Sequence, residues 1–157
     1  MEEKQTPRLK ESLKWLADLS EGANKTAEFD FLNLQGLRIV RAREGYLLCN
    51  FVLPSRLSDG DGNWEAGAMA TLIDDVGSVV VVTATGTVKA TLDLSISYIS
   101  PAKVQEEIEI EAKVVGPKGK LALVVVEVKR KADAKLIAIA QQWMASIGLT
   151  TSQLSKL

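Results

Sequence analysis

Histidine is absent from this chain, and cysteine occurs once, at Cys49. Those two facts remove Ser-His-Asp and Cys-His nucleophilic arrangements, histidine-based metal sites, CxxC redox pairs and intramolecular disulfides. Charge of one sign is missing too: 19 basic residues face 20 acidic ones, so no basic field gathers nucleic-acid phosphates. The most apolar window, Val76 to Ala84, is about half the ~20 residues that span a bilayer. Charges from Glu2 to Asp18 interrupt any apolar stretch of a secretory leader. Neither nucleic acid nor membrane is an expected partner, and no cofactor or metal is expected. Chemistry is left to carboxylates, hydroxyls, amides and lysines.

What is present is one domain's worth of ordinary globular composition, 157 residues of which 46% are hydrophobic and 25% charged. From Pro7 to Leu19, Leu9, Leu13 and Leu16 recur at helical spacing, with Pro7 suited to a first turn. Phe29 to Leu34 is an apolar lead-in. Leu37 to Arg43 and Tyr46 to Leu53, separated by Glu44-Gly45, read as a β-hairpin, and Ser55 to Asn63 is a Gly/Asp-rich loop. A second helix follows from Trp64 or Glu65 to about Thr83, although the β-branched run Val79 to Val82 disfavours it.

Thr91 to Tyr98 and Glu107 to Val114 alternate as half-buried strands. Leu121 to Val128 is apolar on both faces, and Leu136 to Ala145 is a last strand. Helix, hairpin, long apolar helix and then four closely joined strands form an antiparallel α+β pattern, with one long helix against one sheet. The expected division is an N-terminal helix and lead-in over 1–34, a domain over 35–147 and a tail over 148–157.

On a helical wheel Thr71, Asp74, Asp75 and Ser78 form a polar stripe on the otherwise apolar second helix. Such a stripe either faces water or holds a carboxylate at the edge of an apolar cleft, where it activates water or attacks an acyl carbon. Asp59-Gly60-Asp61-Gly62-Asn63 opens like an EF-hand loop, but Trp64 stands where glycine is needed and Ala70 where the bidentate glutamate is needed. Cys49, in an apolar strand, reads as packing.

Asp59-x-x-Gly62-x-x-Glu65-Ala66-Gly67 followed by Asp74 resembles the N-x-x-G-x-x-H-G-G…D signature of small hotdog-fold acyl-CoA thioesterases of the phenylacetate-pathway and thioesterase-superfamily-member-2 type. Asp93 to Ala102 is similar to that family's next strand and its S-P-A turn, so the likeness covers residues 35 to 147. The resemblance implies a hotdog fold hydrolysing acyl- or aryl-CoA thioesters, with the active site between two subunits of a homodimer or homotetramer. It implies Asp74 as nucleophile or water-activating base, and the Ala66 backbone N–H, with Gly67 beside it, as donor to the thioester carbonyl at the helix N-terminus. Thr91 matches a hydroxyl that places the attacking water, against the plain reading of a strand threonine.

The chain departs from the signature at Asp59, Glu65 and Ala66. Glu65 is either an alternative acid/base or a negative charge beside the oxyanion. Asp59 and Asp75 fall at substrate-binding positions. Lys118 and Lys120 either meet CoA phosphates or are solvated hairpin lysines. The three departures favour the alternative of a non-catalytic acyl-CoA-binding hotdog protein, whereas the lack of histidine counts against a hydratase.

The sequence given ends Ser155-Lys156-Leu157, the form of a peroxisomal address read by an import receptor. Deleting these three residues is expected to leave folding and any CoA-ester hydrolysis intact and to move a fluorescently tracked protein from peroxisomes to cytosol. Unchanged localisation would remove the assignment.

Overall fold

The computed structural model describes residues 5–23 and 27–149, so the Ser155-Lys156-Leu157 tripeptide lies outside the described residues. Helix α1, Pro7–Glu21, starts with proline in its first turn and with Thr6 accepting the Leu9 N–H (3.3 Å). It stops at Gly22, whose φ of 72° suits glycine. Leu9, Leu16 and Leu19 are buried along one face, which packs on α3.

A short helix α2, Glu28–Leu34, occupies what the sequence presents as an apolar lead-in. The hairpin follows as β1, Arg38–Arg43, and β2, Tyr46–Val52. After a 3₁₀ turn over Ser55–Leu57 comes the long helix α3, Ala66–Thr85, ended by Gly86 at φ 73°. Strands β3 (Val88–Tyr98), β4 (Glu107–Lys118), β5 (Leu121–Arg130) and β6 (Leu136–Leu149) complete the chain.

The six strands form one antiparallel sheet in the order β1-β2-β4-β5-β6-β3, curled around α3 in the expected hotdog arrangement. At 20 residues α3 is as long and apolar as a membrane-spanning helix, longer than the Val76–Ala84 window suggested. Its side chains are instead covered by Leu47, Cys49 and Phe51 of β2, Ile108 and Ile110 of β4, Val124 and Val126 of β5, and Ala138 and Ala140 of β6. The four valines 79–82 are at most 3% exposed, so burial overrides the helix penalty of β-branching, a few tenths of a kcal/mol per residue against about 1.5–3 gained. Cys49 is fully buried and burial pushes its thiol up to about 12, an unreactive packing residue.

Two contacts fasten α2. Arg56 donates to the carbonyls of Leu32 (3.2 Å) and Gln35 (2.8 Å) at its C-terminal end. On the inner side the Asp30 carboxyl lies beside the Asp75 carboxyl of α3, and Asp75 Oδ2 is buried without a partner among the described residues. Burial first, then the charges of Asp30 and Asp74, pushes Asp75 up to about 9, so it is a neutral acid at pH 7.

A carboxyl raised on folding contributes stability that is complete below its unfolded value near 4 and is lost as pH rises through 9. Asp75→Asn keeps the shape and the neutral state at every pH. Its melting temperature is expected to exceed the native protein's by at least about 2–4 °C at pH 8–9, the equivalent of about 1 kcal/mol, with little difference at pH 4. Parallel melting-temperature curves for the two proteins from pH 4 to 9 would overturn this.

Candidate active site

The N-terminus of α3 is built by the loop before it. Asp59 Oδ1 accepts from the N–H groups of Asp61 (2.9 Å) and Asn63 (3.0 Å), so the residue at the signature's asparagine position closes the loop's turn. The Trp64 N–H donates to Ala102 O (2.8 Å) in the Ser100-Pro101-Ala102 turn, and the Glu65 N–H to Leu57 O (2.9 Å). Both bonds fix where the helix begins.

Glu65 is the N-cap, with Oε2 accepting the Ala68 N–H at 2.8 Å. A Cβ at Gly67 would stand 3.1 Å from that oxygen, so glycine makes room for the carboxylate to fold over the first turn. Ala66 has negative φ as the first helical residue, and alanine therefore suits a position where the signature carries glycine. The N–H groups of Ala66 and Gly67 have no acceptor among the described residues and lie at the positive end of the helix dipole. Beside them a groove of about 300 Å³ runs between α2 and α3, lined by Phe29, Leu32, Leu57 and Gly67 among others.

Two turns further along α3, the structure gathers three polar side chains. Thr91 Oγ1 donates to Asp74 Oδ1 (2.9 Å), and Gln142 Nε2 donates both to Asp74 Oδ1 (2.5 Å) and to Thr91 Oγ1 (2.9 Å). Asp74 is half-buried, Thr91 exposed and Gln142 fully buried. The other carboxylate oxygen, Oδ2, is left for solvent or substrate. Thr71 and Ser78, the remaining stripe residues, donate their hydroxyls to Gly67 O and Asp74 O one turn back in the helix.

Thr91 reaches Asp74 because β3 is irregular. Strict alternation from Thr91 to Tyr98 would place Thr91 on the face of Asp93, Ser95 and Ser97, away from the helix. The register against β6 shifts between Thr91, paired with Met144, and Asp93, paired with Trp143. The extra residue, Leu92, is expelled to 61% exposure, and Thr91 turns onto the helix side with Leu94 and Ile96.

Gln142 is the residue that sequence reasoning missed. Its signal is register: Ala138, Ala140 and Met144 on β6 are buried, and period 2 puts Gln142 on the same inward face. It fits because α3 has Gly77 there, where any Cβ would collide with Gln142 Oε1. That oxygen has no hydrogen-bond partner.

Asp75, assigned to substrate binding from sequence, faces Asp30 rather than the Asp74 cluster. Lys120 is exposed on the β4–β5 turn; the side chain of Lys118 lies outside the described part. Lys129, Arg130 and Lys131 are ion-paired with Glu127, with Glu106 and Asp133, and with Glu107.

Comparison with known proteins fits this geometry. The model of the thioesterase superfamily matches residues 62–137, from the loop before α3 into β6. Acyl-coenzyme A thioesterase 13 of Homo sapiens is 30% identical over 124 residues, which cover 78% of this chain and 88% of the relative. The crystal structure of zebra fish thioesterase superfamily member 2 superposes with a TM-score of 0.80 at 23% identity, covering 90% of this chain and 99% of that one. A hypothetical thioesterase of Streptococcus pneumoniae, solved with coenzyme A, gives 0.70 at 20% identity, over 74% and 93%. At the identity and coverage of the human relative, and with the family model matched across α3 and the strands after it, the chain belongs to the thioesterase superfamily.

Proposed function

We propose that this protein hydrolyses acyl-CoA thioesters at a site shared by two copies of the chain, releasing free acid and CoA. The observation that carries the reading is the hydrogen-bonded cluster of Asp74, Thr91 and Gln142. With its proton directed to Asp74 and one lone pair accepting from Gln142, Thr91 keeps one lone pair for a water molecule. A water bound there lies beside Asp74 Oδ2, which takes its proton as the oxygen attacks the carbonyl carbon. The C=O bond becomes an oxyanion, received by the N–H groups of Ala66 and Gly67. On collapse the C–S bond breaks and the electron pair leaves with the CoA sulfur. The groove along α2 gives the acyl group an apolar wall.

One chain does not complete that geometry. Ala66 and Asp74 are eight residues apart on one helix, about 12 Å at 1.5 Å per residue, whereas both must lie about 3 Å from one thioester. A second copy supplies the missing half. Strand β3 is the edge that carries Thr91 and exposes Leu92, Tyr98 and the adjoining Ile99; the opposite edge, β1, exposes Ile39 and Val40 but is blunted by the exposed Arg38, Arg41 and Arg43.

A second reading, a protein that binds the thioester without cleaving it, is favoured by Glu65, whose negative charge caps the helix end that receives the oxyanion. A free-thiol assay across straight-chain and aryl-CoA esters separates the two. Release from at least one ester is expected, and Asp74→Asn is expected to lower kcat by about 10²-fold or more. Tight binding with no release would support the second reading.

Sharing between copies has its own test. Ala66→Pro removes one oxyanion N–H at the one helix position where proline is tolerated, and Glu65 is already extended as the preceding residue requires. Mixed dimers of Asp74→Asn and Ala66→Pro chains are expected to regain one intact site of two. No recovery on mixing, or a monomer by light scattering at micromolar concentration, would confine the site to one chain and sink the shared arrangement.

A further inference from the structure

We propose that Tyr98 is a positioning residue for the oxyanion donors at the start of α3; the inference rests on the function proposed above. Tyr98 is the last residue of β3, and its hydroxyl donates to Ala66 O at 2.9 Å across 32 residues of sequence. The Ala66 carbonyl and the Gly67 N–H belong to the same peptide group, and that N–H has no acceptor among the described residues. A carbonyl has two lone pairs, so Ala66 O takes the phenol in addition to its own helical bond. Hydrogen bonds in a chain polarise one another: a donor on the carbonyl oxygen draws electron density from the peptide nitrogen and makes its N–H a stronger donor to a developing oxyanion. The same bond fixes the tilt of the peptide plane, and so the direction in which the N–H points.

The phenol is held from a firm base. Tyr98 pairs with Ala138 of β6, and the next two N–H groups, of Ile99 and Ser100, both donate to Ile137 O (2.8 and 3.2 Å). Burial and then the neighbouring Glu65 charge raise the Tyr98 phenol above its ordinary value, so it stays a donor to higher pH than a free phenol. Strand β3 thus touches α3 at both functional points, through Thr91 to Asp74 and through Tyr98 to Ala66.

The test is Tyr98→Phe in the full chain. The side chain is 50% exposed and the ring is kept, so folding and assembly are expected to survive; melting temperature and light scattering check this. Because the lost bond acts on the oxyanion donors, kcat is expected to fall about 10-fold with KM within about twofold of the native value. A trifluoromethyl-ketone analogue of the best ester, which forms a tetrahedral adduct, is expected to bind about 10-fold more weakly, with affinity for CoA unchanged. Unchanged kcat, a loss carried entirely by KM, or a loss matched by unfolded or dissociated protein would overturn the role of Tyr98 and leave the hydrolase reading in place. A native protein that cleaves no ester would overturn both.

Discussion

A 20-residue apolar helix in water must be covered along most of its length, and every other element of this protein follows from that requirement. The sheet curls because it has to reach around α3, and α1 and α2 close the side the sheet leaves open. Both functional points are places where the covering is incomplete or polar: the first turn, whose N–H groups face outward, and the Asp74 edge beside β3. The helix is therefore core and, on the function proposed, the frame of the site at once.

Burying polar groups inside such a core is costly unless they satisfy one another. The Asp74, Thr91 and Gln142 cluster meets this by closing a ring of three hydrogen bonds; among the described residues Gln142 Oε1 is its one fully buried atom without a partner, while Asp74 Oδ2 is left for solvent. A carboxylate held on one oxygen by two donors loses rotational freedom while its second oxygen stays available, which is the preorganisation a general base needs. Asp75 next to it follows the opposite logic: a carboxyl buried beside Asp30 stays protonated and neutral instead of finding a counter-charge.

Much of this was legible in the residues. The resemblance carried by Asp59 to Asp74 implied the N–H groups at the start of α3 and its carboxylate, alternation located β3 and β4, and apolar runs between turn residues located β5 and β6. The apolar lead-in Phe29 to Leu34 was not legible as a helix because it is seven residues with no side-chain N-cap, held instead by Arg56 and Asp75 from elsewhere in the fold. Thr91 was legible as a residue type, but its direction was not: alternation predicts the wrong face, and the bulge at Leu92 arises from pairing with β6, which no local pattern encodes. Gln142 was hidden for a related reason, since its importance depends on which helix residue stands opposite.

That residue is Gly77, and the relation has a consequence for how the sequence can change. The seat for the Gln142 amide is made by the missing side chain at position 77, so the two sites, 65 residues apart, occupy one shared volume. A larger residue at 77 makes the Gln142 amide shift or shorten, and either change disturbs a donor to Asp74. Change at one position therefore bears on the other, and in a set of diverging sequences positions 77 and 142 are expected to covary.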